Sequence, residues 1–428
     1  MNKGLGMSRR TMLAGGAALV AAAPAIARRR GHADAARALH DRLVCLDTHL
    51  DVPMHFVRPG WDIMRRHSHD TDFSQVDYPR MVEGGLDGGF FAIYTPQGPL
   101  TPEGMNAARD TALLRAAAIR EMVARNSAHF ALAFAPEDAA RLAAQRKRIV
   151  YQSIENSYPL AKDVTLLRGF YALGVRMAGP VHFKDNQLGD SATDKNRTWK
   201  GLSPMGHDWL ALCNEFGVIP DASHSSDEVF DQMLAGSKTP IILSHSGCRA
   251  VHDHPRNIDD QRLKQLADAG GTIQINSLSE YLVTTPENPD RERAQGAIFA
   301  KLRGLSAMTP AQATEAVADA AKAMKALNRQ YPVPRATFED YMAHMLHALK
   351  LVGPEHVGVG CDWDGGGGVV GMEDCASDWK ITARLLKEGY REDDLRKIWG
   401  GNVLRVLKAA QDGRTKAPAP VASGGGGE

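Results

Sequence analysis

From Leu43 onward the chain repeats one pattern: a short apolar run, a polar residue at its end, then an amphipathic stretch with apolar positions every three or four residues. The runs 43–49, 88–94, 148–155, 173–182, 217–224, 240–245, 272–276 and 356–362 read as buried strands. Helical periodicity fills the gaps, most clearly over 102–127, 159–171, 204–216, 226–236, 259–269 and 338–351. Strand and helix alternating in this way call for parallel strands joined by helical crossovers. Eight such units favour a closed (β/α)8 TIM barrel over an open doubly wound sheet, and no G-x-G-x-x-G follows the first strand to support a dinucleotide fold.

Several stretches interrupt the pattern. Residues 28–40 read as an exposed helical lead-in, and 130–135 as a ninth strand-like run outside the barrel. Between the seventh and eighth strands, residues 282–337 form a charged, Ala-rich, largely helical insertion with five prolines, too long for a simple loop. A lid, an oligomer contact and a helical decoration all fit it. Last come helices over 379–388 and 392–411, then a tail at 413–428 whose Pro, Ala, Ser and Gly predict disorder.

Composition changes this picture little. The 428 residues are 43% hydrophobic and 24% charged, as in an ordinary globular protein. Formal net charge is +1, and removing residues 1–27 with Lys3, Arg9 and Arg10 leaves 48 basic against 50 acidic residues, or −2, with no basic patch for nucleic acid. Those 27 residues carry Arg9-Arg10, a weakly apolar Ala/Gly-rich core and Ala25-Ile26-Ala27. These are the parts of a cleavable twin-arginine signal, predicting a periplasmic or secreted protein without a stable membrane anchor. A retained anchor is the alternative, but it would want about 20 strongly apolar residues. The five cysteines show no C-x-x-C pairing, and one disulfide is left open.

The polar residues ending the strands are the candidate chemistry. His49 and Asp51 follow the first strand, Glu155 the third, His182 the fourth, His224 the fifth, His245 the sixth and Asp362 the eighth. Side chains alternate along a strand, so His49 and Asp51 point the same way. In a barrel of parallel strands the carboxyl ends share one face, so all of these converge. Each histidine alone reads as a capped core residue; their joint placement is the evidence. Two histidines with a carboxylate can hold one zinc, and a second pair can hold another if Glu155 bridges them. Arg256, beside the sixth strand end, offers a planar fork suited to a substrate carboxylate. His252 and His254 read as exposed loop residues, Asp364 competes with Asp362 for a proton-transfer role, and His55, His67, His69, His344 and His347 read as structural.

These residues sit in a recognisable order: Asp47-Thr48-His49-Leu50-Asp51-Val52-Pro53, Gln75 to Met81 with Gly84-Gly85, Ile154-Glu155, Gly174-Val175-Arg176 with His182, Asp221-Ala222-Ser223-His224, Leu243-Ser244-His245-Ser246 with Arg256-Asn257, Gly358 to Gly365, and Gly400 to Arg405. From about 43 to 408 the chain resembles the membrane (renal) dipeptidase family, peptidase family M19. The resemblance implies a barrel of the metal-dependent amidohydrolase type with two Zn2+ per chain, cleaving dipeptides, L,D dipeptides among them, by attack of a metal-bound hydroxide. By position it implies His49 and Asp51 on the first zinc, Glu155 bridging, and His224 and His245 on the second. It further implies His182 polarising the scissile carbonyl, Arg256 holding the free carboxylate, Asp362 managing the proton, and Tyr281 on the substrate side. Asn156-Ser157-Tyr158 after Glu155 departs from the small residues usual there, which bears on substrate fit. A homodimer is left open.

The rival enzyme reading is an amidohydrolase acting on another amide or lactam, such as N-acyl amino acids or β-lactams. The non-enzyme rival, a binding protein that kept a barrel, requires broken ligand positions, and these are intact.

Overall fold

The computed structural model describes Met1 and residues 34–415. Apart from Met1, the signal expected at 1–27 lies outside the described residues, as does the expected tail from 416 onward. The strands are β1 (Leu46–Leu50), β2 (Gly88–Ile93), β3 (Phe130–Leu132), β4 (Arg148–Ile154), β5 (Val175–Ala178), β6 (Ile219–Pro220), β7 (Ile242–Cys248), β8 (Asn257–Ile258), β9 (Thr272–Ile275) and β10 (Val357–Val359). Parallel ladders join β1, β2, β4, β5 and β6 in that order, and β7, β9 and β10 in a second run. Single parallel bridges, Asp221 to Ile242 and Leu50 to Trp363, close the two runs into a ring of eight. The predicted barrel is the observed one.

The extra run is a short strand, β3, which pairs with the first half of β4 while β5 pairs with the second half. Close approach of backbones explains one glycine: a Cβ on Gly89 would lie 1.9 Å from the carbonyl oxygen of Asp47 on the neighbouring strand. At the amino-terminal end of the barrel Leu46, Phe90, Ile149, Tyr151, Met177, Ile219 and Ile242 pack with Val403, Val406, Leu407 and Ala410 of the last helix, Asn402–Asp412. That end is a filled apolar plug. Chemistry is left to the carboxyl-terminal end.

Helices begin where the sequence supplies caps: Thr101, Ser203, Ser226, Asp259 and Thr337 each accept a bond from the backbone N–H three residues on. The helices Pro102–Arg125, Pro204–Phe216, Asp227–Gly236, Asp260–Asp268 and Phe338–Val352 match the predicted spans within two residues at each end. The insertion contains the helices Pro289–Ala300 and Pro310–Gln330. These lie against the segment after β1, with the rings of Phe299 and Phe73 5.6 Å apart and Lys325 Nζ 3.1 Å from Asp70 Oδ2.

Several expectations need correction. The helix predicted over 159–171 is two 3-10 turns, Tyr158–Leu160 and Val164–Leu166, followed by a helix at Leu167–Leu173. The strands predicted at 173–182, 217–224 and 356–362 are shorter than read, ending at Ala178, Pro220 and Val359. After Pro220 the Asp221 carboxylate takes the N–H of Ser223, a local turn that competes with the ladder. The helix predicted over 392–411 contains a wider turn, Lys397–Gly401, where a Cβ on Gly400 would meet the Val44 carbonyl at 2.8 Å. On the question of a disulfide, all five cysteines are free and buried. Among the described residues no helix is long and apolar enough to cross a membrane.

Candidate active site

Shortened strands do not scatter the polar residues. They let the chain turn inward over the barrel mouth. His224, Asp362 and Asp364 have φ values of 68°, 64° and 69°, a left-handed conformation that is costly for residues other than glycine. Gly365 follows because nothing larger fits: a Cβ there would lie 2.1 Å from Asp362 Oδ1 and 2.2 Å from Asp51 Oδ2.

Glu155 is the centre of the arrangement. Its Oε1 lies 3.1 Å from His224 Nε2, 3.3 Å from His182 Nε2, and 3.6 Å from both His49 Nε2 and His245 Nε2. His49 Nε2 is also 3.4 Å from Asp51 Oδ2 and 3.9 Å from Asp362 Oδ1. All of these side chains are buried. Burial alone would lower the His49 pKa, but Glu155 and Asp51 outweigh it and raise it to about 10. His224 and His245 go the other way: burial, with Arg256 beside His224 and His49 beside His245, holds them neutral. Burial pushes Asp362 up to about 7, with repulsion from Asp51 and Glu155 acting in the same sense.

The donor set suits a metal. Its atoms group into three overlapping triads, each within 4.8 Å: His49, Glu155 and His245; Glu155, His182 and His224; His49, Asp51 and Asp362. His49 Nε2 and Asp51 Oδ1 are buried without a hydrogen-bond partner, as expected of atoms shaped for a cation. Besides the five ligands that the resemblance implies, the triads bring in His182, 3.3 Å from Glu155 against 3.1 Å for His224, and Asp362, which groups with His49 and Asp51. Behind the ligand candidates, Ser244 Oγ lies 2.8 Å from His245 Nδ1 and donates to Asp221 Oδ2 at 2.5 Å. This hydroxyl-mediated link to a buried carboxylate orients the imidazole.

A cleft of about 500 Å³ opens above, lined by Asp51, Glu155, His182, His224, Tyr281 and Asp362, and by Met54, Tyr94, Phe183 and Leu278. Arg256 stands behind its wall, 4% exposed, with Nη2 donating to the His245 carbonyl at 3.1 Å and Cζ 5.0 Å from the centroid of the Tyr281 ring. Its Nε has no partner, and no carboxylate of the described residues lies in salt-bridge range. His254, expected to be exposed, is half-buried and packs 5.0 Å from Tyr281. The side chain of Asp364 is buried, with Oδ1 3.7 Å from His55 Nε2.

Residues 33–421 match the membrane dipeptidase family, peptidase family M19. This chain belongs to that family. A crystal structure of the probable dipeptidase PvdM from Pseudomonas aeruginosa is similar at 30% identity and a TM-score of 0.76, over 90% of this chain and 99% of that one. An uncharacterised dipeptidase of Schizosaccharomyces pombe is 31% identical over 60% of this chain, although the match spans only 52% of that protein. A Rhodobacter sphaeroides metallopeptidase, solved with a phosphinate mimic of L-Ala-D-Ala, shares the fold at 22% identity and a TM-score of 0.66, over 86% of this chain and 99% of that one. Membership in M19 implies a metal cofactor, consistent with the triads around Glu155.

Sequence reasoning missed several residues at this M19 site. Tyr94 ends the second strand-like run, and its ring lies 5.1 Å from that of His182; the strand-end rule used for the histidines would have found it. Arg115 donates to the Tyr94 carbonyl from the middle of a helix, and no periodicity marks it out. Asn276, whose Nδ2 donates to Asp362 Oδ2 at 3.2 Å, ends the strand-like run 272–276, and the same strand-end rule would have found it.

Proposed function

We propose that this protein hydrolyses dipeptides, L,D dipeptides included, with two zinc ions held by His49, Asp51, Glu155, His224 and His245. The observation that carries the reading is a buried Arg256 without a carboxylate, placed beside a cluster of metal-type donors. A buried guanidinium is costly unless paired, and the free carboxylate of a substrate supplies the pair. When bound, the metal supplies Lewis acidity that makes water nucleophilic at neutral pH.

The chain's own residues do the rest. Arg256 and Tyr281 hold the carboxylate and so place the scissile bond over Glu155. His182, on the cleft wall, donates from Nε2 to the carbonyl oxygen as negative charge develops there. Asp362, poised near neutrality, takes the proton of the attacking water and passes it to the leaving amine. The Asn276 amide occupies Oδ2 of Asp362 and leaves Oδ1 facing the site.

The reading includes export, supported by Arg9-Arg10, the apolar core and Ala25-Ile26-Ala27. Amino-terminal sequencing of the exported protein should begin at Arg28; an intact terminus in the membrane fraction would favour a retained anchor. The deciding experiment for function is a kinetic screen of metal-replete enzyme against dipeptides, N-acyl amino acids and lactams. Turnover of the latter two without dipeptide turnover would favour the amidohydrolase alternative.

A further inference from the structure

A substrate laid across this cleft has one end assigned by the ring of strands. Arg256 and Tyr281 stand together over β7 and β9. In the ring order β1, β2, β4, β5, β6, β7, β9, β10, the strands facing that pair are β2 and β4. A dipeptide whose carboxylate meets Arg256 therefore extends its amino-terminal residue toward the arc from β1 to β5.

The side chains on that arc are of another kind. Met54 follows β1, Tyr94 follows β2 and Phe183 follows β5, and all three line the cleft. Met54 is 40% exposed and Phe183 49% exposed. Among the described residues they are the only large hydrophobic side chains so exposed that also line this cleft. Phe183 is not loose: its ring centroid lies 3.8 Å from that of His182 and 5.3 Å from that of His224. An apolar surface held open above a polar floor gains from burial by a ligand. The titratable groups lining the cleft are Asp51, Glu155, Asp362 and Asp364 with His182, His224, Tyr94 and Tyr281, and no lysine or arginine lines it; Arg115 stands behind Tyr94, its guanidinium turned to the Tyr94 carbonyl. A negatively charged side chain entering among Met54, Tyr94 and Phe183 exchanges water for apolar surface and finds no lysine or arginine on the cleft wall to pair with.

We propose that Met54, Tyr94 and Phe183 form the side-chain subsite for the amino-terminal residue of the dipeptide, and that it selects large apolar or aromatic side chains and rejects acidic ones. The proposal rests on the dipeptidase reading and on Arg256 as the carboxylate clamp.

The test is kcat/KM for zinc-replete full-length protein on two series, X-Ala and Ala-X, with X as Phe, Leu, Gly and Asp. Phe-Ala and Leu-Ala should exceed Gly-Ala by about ten-fold or more and Asp-Ala by about a hundred-fold, the range one apolar pocket can supply. The Ala-X series should spread less. Phe183→Ser and Met54→Ser should each reduce the Phe-Ala to Gly-Ala ratio by several-fold, mainly through KM, while Phe183→Leu and Met54→Leu should preserve most of it. A flat X-Ala series on an enzyme that does cleave dipeptides overturns this subsite and leaves the dipeptidase reading standing. So does a preference that the serine variants fail to move, or one that resides in the second position. If no dipeptide is cleaved, both fall together.

Discussion

The Nε2 atoms of His224 and His245 face each other at 2.9 Å, and both imidazoles are held neutral by their surroundings. With Glu155 Oε1 3.1 Å from one and 3.6 Å from the other, lone pairs and a carboxylate crowd one point. A cation resolves that crowding better than a shared proton can. Purified protein should therefore contain about two zinc ions per chain. His245→Ala and Asp51→Ala should each lose metal and most activity. Elemental analysis checks this; full activity with one ion or none would rule out the two-metal site.

The Asp221, Ser244 and His245 link predicts a subtler effect. Removing such an orienting partner typically costs about 10–100-fold in metal affinity while leaving the ligands themselves in place. Ser244→Ala and Asp221→Asn should bind zinc that much more weakly in competition with a chelating dye. Unchanged affinity in both would mean that His245 is oriented by packing alone.

Arg256 predicts the length limit of the substrate. Leaving a buried charge without its partner costs about 2–5 kcal/mol, so carboxyl-amidated dipeptides should fall by roughly two orders of magnitude or more in kcat/KM. Arg256→Met should cut activity on the free dipeptide by a similar factor, retain zinc and lose most of the preference over the amide. Equal cleavage of free and amidated dipeptides by the wild type would refute the clamp.

Stability should weaken in mild acid for reasons outside the metal site. Burial lowers the pKa of His40 and of His344 to about 4, with Arg37 adding to the effect at His40. His40 Nδ1 lies 2.8 Å from Thr382 Oγ1, and His344 Nδ1 accepts the N–H of Cys248 at 2.9 Å. A folded-state value below the unfolded one, about 6.5, means that the unfolded chain takes up protons first. The contribution is whole above about pH 6.5 and is lost as pH falls toward about 4, up to ~3 kcal/mol for each group. Urea unfolding at pH 7, 5.5 and 4.5 should show this loss, with a smaller slope in His344→Gln than in the wild type. Parallel slopes would exclude His344 from the acid response.

By itself the sequence determined the architecture and the list of polar residues to watch. Apolar runs alternating with amphipathic stretches leave few options but a parallel barrel, and the barrel's shared carboxyl end gathers whatever ends each strand. His49, Asp51, Glu155, His182, His224, His245 and Asp362 were legible for that reason. Tertiary structure decided what periodicity does not encode. His224 and Asp362 reach the site through left-handed turns after their strands have ended, a local cost repaid by contacts far away in sequence. Distances gather the donors into overlapping triads, because four imidazoles converge on one Glu155 oxygen. Tyr94, Phe183 and Met54 became parts of the cleft only when the ring closed, since three residues from separate loops share a wall through the order of strands and not through any spacing along the chain.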